Sequence, residues 1–251
     1  MRKSKYLIGA LCAVFATVSV ANVASGAPGQ TQDAAINVKP KQLPNSKKKR
    51  KAIRLHVKTS TFCPSCPAQV PSPAVRAVLN FDNAIQLRPG VAPKCASGQL
   101  AGRSTAEAKA ACPRSIVGGG SAQVFAPTGP TSHVTFNPEV TAFNGTPRGG
   151  RPTLILHNFV AELSYAQDLV GVLKAAKGGP DFRRGRQLDV TIPPLPLAAA
   201  LTVFDTSVGN GFKRGYVKAN CSDRNKRINL KARFSFQDGS SLPANGATRC
   251  R

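Results

Sequence analysis

The chain has 251 residues, of which 35 are Lys or Arg and 11 are Asp or Glu, so its formal net charge is +24. Its 20 prolines and 22 glycines are many for a helical protein, and the charge favours acidic wall polymers, anionic lipid or nucleic acid as partners. Beyond residue 26 no segment is long and apolar enough to span a bilayer, which argues against a helical membrane protein.

The N-terminus has the pattern of a cleaved export signal. Three cations, Arg2, Lys3 and Lys5, precede an uncharged and mostly apolar run over residues 7–24. Small residues follow at 24–26, where a signal peptidase requires them. We therefore expect cleavage before Ala27 and a secreted or cell-envelope location. The rest of the chain keeps a net charge of +21, since the leader holds only three of the cations.

Residues 27–51 are predicted to be a disordered basic linker, because few of their side chains could bury a core. The linker ends in a run of five cations. In an intracellular protein, such a run would indicate a nucleic-acid-binding patch or a nuclear-import signal. Export makes nuclear import irrelevant, and a solvated linker remains the simplest alternative. We predict that a polyanion contacts this run together with the charged face of one strand: Lys47, Lys48, Lys49, Arg50, Lys51, Arg227, Lys231 and Arg233. Few aromatic residues accompany these cations, which weakens the case for a specific nucleic-acid partner.

From residue 52 onward, short alternating segments predict an all-β domain over 52–251. Residues 53–57 and 227–236 alternate apolar and polar side chains with the period of a half-buried strand. Further strands are expected at 75–81, 116–126, 132–136, 138–143, 153–160, 187–193, 200–207 and 214–221, whereas 169–177 suits a short helix or an irregular connection. Many short strands separated by glycine turns favour a two-sheet antiparallel β-sandwich. A Pro/Gly-rich boundary near 147–151 could divide this domain into two lobes, 52–147 and 148–251, as an alternative to one continuous domain.

One helix is expected in this domain. Ser104 and Glu107 have the spacing of a capping box, and the Ala-rich residues 105–111 follow the cap. Pro113 limits the helix to about two turns.

Six cysteines follow the leader, and an even number outside the cytosol indicates disulfides. Six cysteines allow fifteen pairings, so the order along the chain does not determine them. We favour Cys95 with Cys112, around the helix, and Cys221 with Cys250, which leaves Cys63 with Cys66. The last pair has the spacing of a redox dithiol, but the prolines that follow make an activating helix unlikely to form. A second close cysteine pair is missing, so zinc is not expected.

No catalytic constellation can be named from the order of the residues. His56, His133 and His157 are scattered, no serine stands in a nucleophile elbow, and the acids form no recognisable pair. The glycines at 118–120 suit a bulge or tight turn better than a phosphate cradle. We assign no catalytic residue, no metal site and no cofactor.

Several stretches resemble a group of secreted β-rich proteins of high-GC Gram-positive bacteria that has no assigned activity. The resemblance is carried by residues 93–95, 108–113, 140–145, 151–157, 188–194 and 216–221, and it covers most of 74–251. It implies an exported β-rich domain and no particular chemistry. The pair Cys63 and Cys66 departs from this group.

Together these features predict an exported, non-catalytic envelope or extracellular protein that binds anionic polymers through a basic surface. The alternative is an extracytoplasmic thiol-disulfide oxidoreductase that uses Cys63 and Cys66. The oligomeric state is left open.

Overall fold

A computed structural model describes residues 28–176, 185–221 and 226–251. The predicted signal peptide lies outside the described residues. The described part is mostly β, with fifteen strands: β1 Thr31–Lys39, β2 Lys51–Ala52, β3 Arg54–Phe62, β4 Ala74–Phe81, β5 Ile85–Leu87, β6 Ile116–Pro127, β7 His133–Phe136, β8 Glu139–Arg148, β9 Arg151–Val160, β10 Tyr165–Ala175, β11 Arg186–Thr191, β12 Ala200–Gly209, β13 Val217–Ala219, β14 Arg227–Phe236 and β15 Ser241–Arg249. The α-helix in this part, α1, is Thr105–Ala111.

Most strands join one antiparallel sheet in the order β1-β3-β12-β6-β8-β9-β10-β11-β4-β14-β15, with β7 paired to β6. The two ends of this order lie side by side. Thr248 Oγ1 of β15 donates to Asn37 Oδ1 of β1 at 3.4 Å, and a Cβ built on Gly246 would lie 2.8 Å from the carbonyl oxygen of Ala34. The sheet is therefore nearly barrel-shaped, and the all-β prediction is confirmed. The finer prediction of a two-sheet sandwich does not describe it, because a single curved sheet encloses the core.

Because side chains alternate between the two faces of each strand, the inner face of the curved sheet is apolar and the outer face is polar. In β14, the inward residues Ile228, Leu230, Ala232, Phe234 and Phe236 are buried, and charged or polar side chains alternate with them on the outer face. Burying each large side chain contributes about 1.5–3 kcal/mol. Equivalent inward rows from the other strands merge into one large core cluster.

A small second sheet, in the order β2-β13-β5, closes one end of the barrel-like sheet. Its strands belong to the connections at this end, because β2 directly precedes β3, β5 follows β4, and β13 follows β12. Tyr216 and Ile53, at its edge, are almost completely buried. We call this end the closed end.

α1 and the loop that precedes it cover the outer face of β8 and β9. Ser104 Oγ accepts from Glu107 N, and Glu107 Oε2 accepts from Ser104 N at 2.8 Å, so the predicted capping box is formed. Leu100 and Ala108 pack here on Phe143 and Ile155, two outward residues of the sheet. His157 is another residue on the outer face of β9, and it is fully buried.

Two predictions about chain organisation are wrong. The segment 27–51 is not a disordered linker, since Thr31–Lys39 pairs along its whole length with β3. Residues 169–175 belong to β10 and do not form a helix or an irregular connection.

The Pro/Gly-rich boundary near 147–151 does not divide the sheet. It forms the hairpin between β8 and β9, in which Gly149 and Gly150 have φ of +54° and +72°. Such values suit glycine, and they turn the chain so that Arg148 pairs with Arg151 beyond a shift in register that follows Gly145.

Candidate functional site: a basic surface at the closed end

Cations are concentrated where strands start or finish at the closed end. Lys39 ends β1 and stands opposite Arg54, which starts β3. Arg227 starts β14 and stands opposite Arg249 near the end of β15. All four side chains are exposed. Like charges directly opposite each other on neighbouring strands are destabilising, so these pairs oppose folding unless an anion or solvent screens them.

The segment between β1 and β2 adds more positive charge to this end. Its backbone is held by three hydrogen bonds: Leu43 N donates to Arg251 O at 2.6 Å, Arg251 N to Lys41 O at 2.8 Å, and Cys221 N to Pro44 O at 2.8 Å. Ser46 Oγ accepts from Lys48 N at 3.2 Å and caps a short 3-10 turn. The cations of this segment are thus presented on an ordered backbone.

The predicted cationic run divides into two kinds of residue. Lys47, Lys48, Lys49 and Lys51 are exposed. Arg50 is only partly exposed, and its guanidinium donates to Asn220 Oδ1 at 3.1 Å and to Asn83 O at 2.7 Å. Arg50 therefore fixes the segment to the small sheet, and the four lysines remain available to a ligand.

The other three residues of the predicted polyanion site do not all lie at the closed end. Arg227 lies at the closed end, but Lys231 and Arg233 are four and six residues further along β14, about 13 and 20 Å away at 3.3 Å per residue. Arg233 is close to the other end of its strand, and its Nη1 lies 3.5 Å from Ser241 Oγ. These two side chains lie on the same exposed face as Arg227, at the side of the barrel-like sheet.

The structure also contributes cations that the sequence analysis did not single out. We define the basic end as the exposed cations on the side of the closed end formed by β1, β2, β3, β14, β15 and the segment that joins β1 to β2: Lys39, Lys41, Lys47, Lys48, Lys49, Lys51, Arg54, Lys226, Arg227, Arg249 and Arg251. They come from both ends of the chain, so only the topology brings them together and no local pattern could have shown it. Of the Arg/Gly run at 183–186, residues 183–184 lie outside the described residues.

Most acidic side chains of the described residues lie elsewhere. Asp33, Glu139, Glu162 and Asp238 are near the starts and connections of strands at the opposite end. Asp82 is at the closed end, but it is buried, and its two oxygens accept from the backbone N–H groups of Ala84 at 2.7 Å and Asn229 at 2.8 Å. Among the described residues, no ion pair includes a cation of the basic end.

The cysteines form the three disulfides that the sequence favoured: Cys63–Cys66, Cys95–Cys112 and Cys221–Cys250. Cys63 is 2% exposed. A short 3-10 turn, Pro67–Gln69, follows the first pair, and Ala68 and Gln69 have positive φ within it. The α-helix N-terminus that commonly lowers the pKa of a redox cysteine is not formed there.

Each histidine has one partner. His56 Nε2 lies 2.6 Å from Asp205 Oδ1, His157 Nδ1 lies 2.8 Å from Asp168 Oδ1, and His133 Nδ1 lies 2.6 Å from Ala68 O. In the described part of the chain, no serine or threonine hydroxyl is hydrogen-bonded to any of these rings. Nor do the described residues contain a cluster of three side chains suited to a metal ion.

Asn144 and Gly145, which begin a glycosylation-like Asn-Gly-Thr sequence, lie inside β8 and do not form a turn. Asn144 is completely buried. The glycines at 118–120 are part of β6, with a shift in register beside Gly118, so they do not form a phosphate-binding loop.

Comparison with known proteins yields no relative. No protein-family model, no curated protein and no solved structure matches the chain. Within the described ranges, no helix has the length and apolar character needed to cross a membrane.

Proposed function

We propose that this chain is an exported, non-catalytic envelope or extracellular protein that binds anionic polymers through its basic end. The leader pattern supports export, and three disulfides fit an oxidising compartment. The resemblance to secreted proteins of high-GC Gram-positive bacteria agrees with this location.

The observation that carries the proposal is that cations stand opposite each other at the ends of two pairs of strands. Lys39 faces Arg54, and Arg227 faces Arg249, without an acidic partner among the described residues. Arg54 also has a structural contact, because its Nε donates to Asn210 O at 3.0 Å and its guanidinium lies 5.6 Å from the ring centre of Phe212. A chain of phosphates or carboxylates would neutralise both like-charged pairs at once. The exposed lysines of 47–51 would extend the contact along the polymer.

The alternative, a thiol-disulfide oxidoreductase that uses Cys63 and Cys66, has less support. Its first cysteine is buried, and no α-helix starts behind it. Charge binding requires only side chains that are already exposed.

The test is binding to inorganic polyphosphate and to isolated cell walls across a range of salt concentrations. A variant with Lys47, Lys48, Lys49 and Lys51 all changed to Gln should bind at least tenfold more weakly at low salt. The matched control changes Lys58, Lys94, Arg103 and Arg114 to Gln, which removes the same charge from exposed positions elsewhere, and should lose less than threefold.

Two results would overturn the proposal. Equal losses in both variants would show that net charge alone governs binding, with no role for the basic end. Binding that persists unchanged at high salt would exclude exposed charge contacts, since these are screened over about 8–10 Å at physiological ionic strength.

A further inference from the structure

The interior of the barrel-like sheet contains an apolar cavity of about 100 Å³, the inner chamber. Strands on all sides of the sheet line it, with side chains such as Leu55, Ala77, Leu156, Val190 and Phe234. Protein interiors are packed as densely as organic crystals, and they rarely contain voids larger than a water molecule. A chamber of this size is therefore a feature of the fold that calls for an explanation.

A smaller cavity of about 40 Å³, the outer chamber, adjoins the first. Leu169, Ile192 and Leu201 line both chambers. The outer chamber also contacts Leu163 and Leu197, which belong to the connections β9–β10 and β11–β12. It thus extends from the middle of the sheet toward the end opposite the closed end.

Leu163 and Leu197 mark an apolar rim around the outer chamber. Their side chains are 44% and 63% exposed. At the closed end, by contrast, Tyr216 and Leu87 line the inner chamber beneath the small sheet, and Tyr216 is 1% exposed. A ligand that reaches the interior would therefore enter past the two leucines.

Each chamber has one buried polar atom without a partner. Thr206 lines the inner chamber, and its hydroxyl makes no hydrogen bond. Asn158 lines the outer chamber, where its Nδ2 donates to Leu156 O at 3.0 Å while its Oδ1 accepts nothing. Buried polar atoms are nearly always paired, so these two indicate a missing partner. Since Asn158 Oδ1 can only accept, that partner must be a donor.

We propose that the two chambers bind a small neutral molecule with a hydrocarbon body and one hydroxyl group. The hydrocarbon lies in the inner chamber, and the hydroxyl donates to Asn158 Oδ1. The chambers of about 100 and 40 Å³ are together slightly smaller than an engineered apolar cavity of about 150 Å³ that holds benzene, so a ligand of about six carbons fits the combined space. This binding is independent of the charged surface at the closed end.

The experiment uses 1-hexanol as the probe and the methyl groups of isotope-labelled leucines as the readout in NMR. Titration should shift the methyl signals of Leu156, Leu169 and Leu201. Pentyl methyl ether has the same number of carbon and oxygen atoms as 1-hexanol but no donor, and it should bind several-fold more weakly than 1-hexanol. The variant Asn158→Leu should abolish that preference.

Ala77→Leu places three more carbons in the inner chamber and should weaken 1-hexanol binding at least tenfold. Its matched control is Ala35→Leu, the same change at an exposed position of β1, which should bind as the wild type does. If Ala77→Leu fails to fold, Val190→Ile adds one methyl group to the same chamber and should weaken binding measurably.

Three results would overturn the proposal. The first is the absence of methyl shifts up to the solubility limit of 1-hexanol. The second is a set of shifts confined to the exposed Leu163 and Leu197. The third is unchanged affinity in the folded Ala77 or Val190 variant.

Discussion

The hydroxyl of Tyr216 donates to Oδ1 of Asn144 at 3.4 Å in the interior of the protein. The amide nitrogen of the same asparagine has two hydrogens and lies within hydrogen-bond distance of three carbonyl oxygens, those of Pro89 at 3.0 Å, Ala92 at 2.8 Å and Pro93 at 3.1 Å. Burial raises the pKa of Tyr216 well above its ordinary value, so its hydroxyl remains a donor at neutral pH. Asn144 thereby ties both the closed end and the loop before α1 to β8.

We first predict that Asn144→Ala destabilises the protein by about 2–4 kcal/mol. The substitution leaves buried carbonyl groups without their donor, and each such loss costs about 1–3 kcal/mol. Urea unfolding followed by circular dichroism measures the change.

Asn80→Ala is the matched control for Asn144→Ala. Its side chain donates to Lys231 O at 3.4 Å and accepts from Gln187 Nε2 at 3.1 Å at a half-exposed position. Water can replace these partners there, so the loss should cost less than about 1 kcal/mol. Similar losses in both variants would refute the role assigned to Asn144.

The second prediction concerns acid stability. Arg76 donates to both carboxylate oxygens of Asp189 at 2.8 and 2.7 Å, and Lys174 Nζ lies 2.6 Å from Oδ2. The hydrogen bonds from Arg76 are the largest cause of the lowered pKa of Asp189, about 2. A folded-state pKa below the unfolded value of about 3.9 stabilises the protein above that pH. This contribution, about 1–2 kcal/mol, should be lost as the pH falls from about 4 to 2.

Asp189→Asn should remove that dependence. The variant should be less stable at pH 7, and the drop in its unfolding free energy between pH 4 and pH 2 should be shallower than in the wild type. Glu162→Gln, at an exposed site for which no ion pair is formed among the described residues, provides the control. A variant whose acid profile matches the wild type would contradict the assignment.

The third prediction orders the disulfides by the length of chain that each closes. Their sequence separations are 29 for Cys221–Cys250, 17 for Cys95–Cys112 and 3 for Cys63–Cys66. In the chain-entropy model, replacing each pair by alanines should cost about 3.5, 3 and 1.5 kcal/mol, respectively. Thermal unfolding of the three double variants measures this order.

The same variants test the oxidoreductase alternative. Reductase activity toward a disulfide substrate in the wild type, lost only in the Cys63/Cys66 variant, would favour it over a structural role. A Cys63/Cys66 variant less stable than the other two would contradict the ranking by loop length.

The fourth prediction concerns the contact between β6 and β12. A Cβ on Gly120 would collide with the carbonyl oxygen of Asp205, which belongs to the backbone and cannot move aside alone. Gly120→Ala should therefore destabilise the protein by about 3 kcal/mol or more. Gly98→Ala is the control, because nothing lies within 4 Å of its added carbon. A Gly120 variant as stable as the Gly98 variant would show that the two strands separate easily.

The parts of the fold that were predicted correctly have strong local signals. The capping box at Ser104 and Glu107 needs only four residues, and the strict alternation in β14 needs only ten. The strand β1 lacks such a signal. Its inward positions include Gln32 and Ala34, and Gln32 is accommodated because Thr61 Oγ1 donates to its Oε1 at 2.6 Å.

The strand β10 was also missed because its local sequence signal is weak. Gly171 stands at an inward position where an added carbon would come close to Leu188 and Val190. A glycine inside an apolar run weakens the strand pattern in the sequence, although the packing requires it. The basic end was predicted only in part for a different reason. Lys39 pairs with Arg54 at one end of the sheet order and Arg249 pairs with Arg227 at the other, so no short stretch of sequence shows that these cations share one end of the fold.

The contact between β1 and β15 sets the order of folding events. These first and last described strands are about 210 residues apart in sequence where Asn37 meets Thr248, and folding slows as such distant contacts dominate. A chain still emerging from a ribosome or an export channel has no β15 with which to cover β1. Until then β1 presents an open edge, on which another strand could add, and the seam is the last part of the sheet to be protected from aggregation.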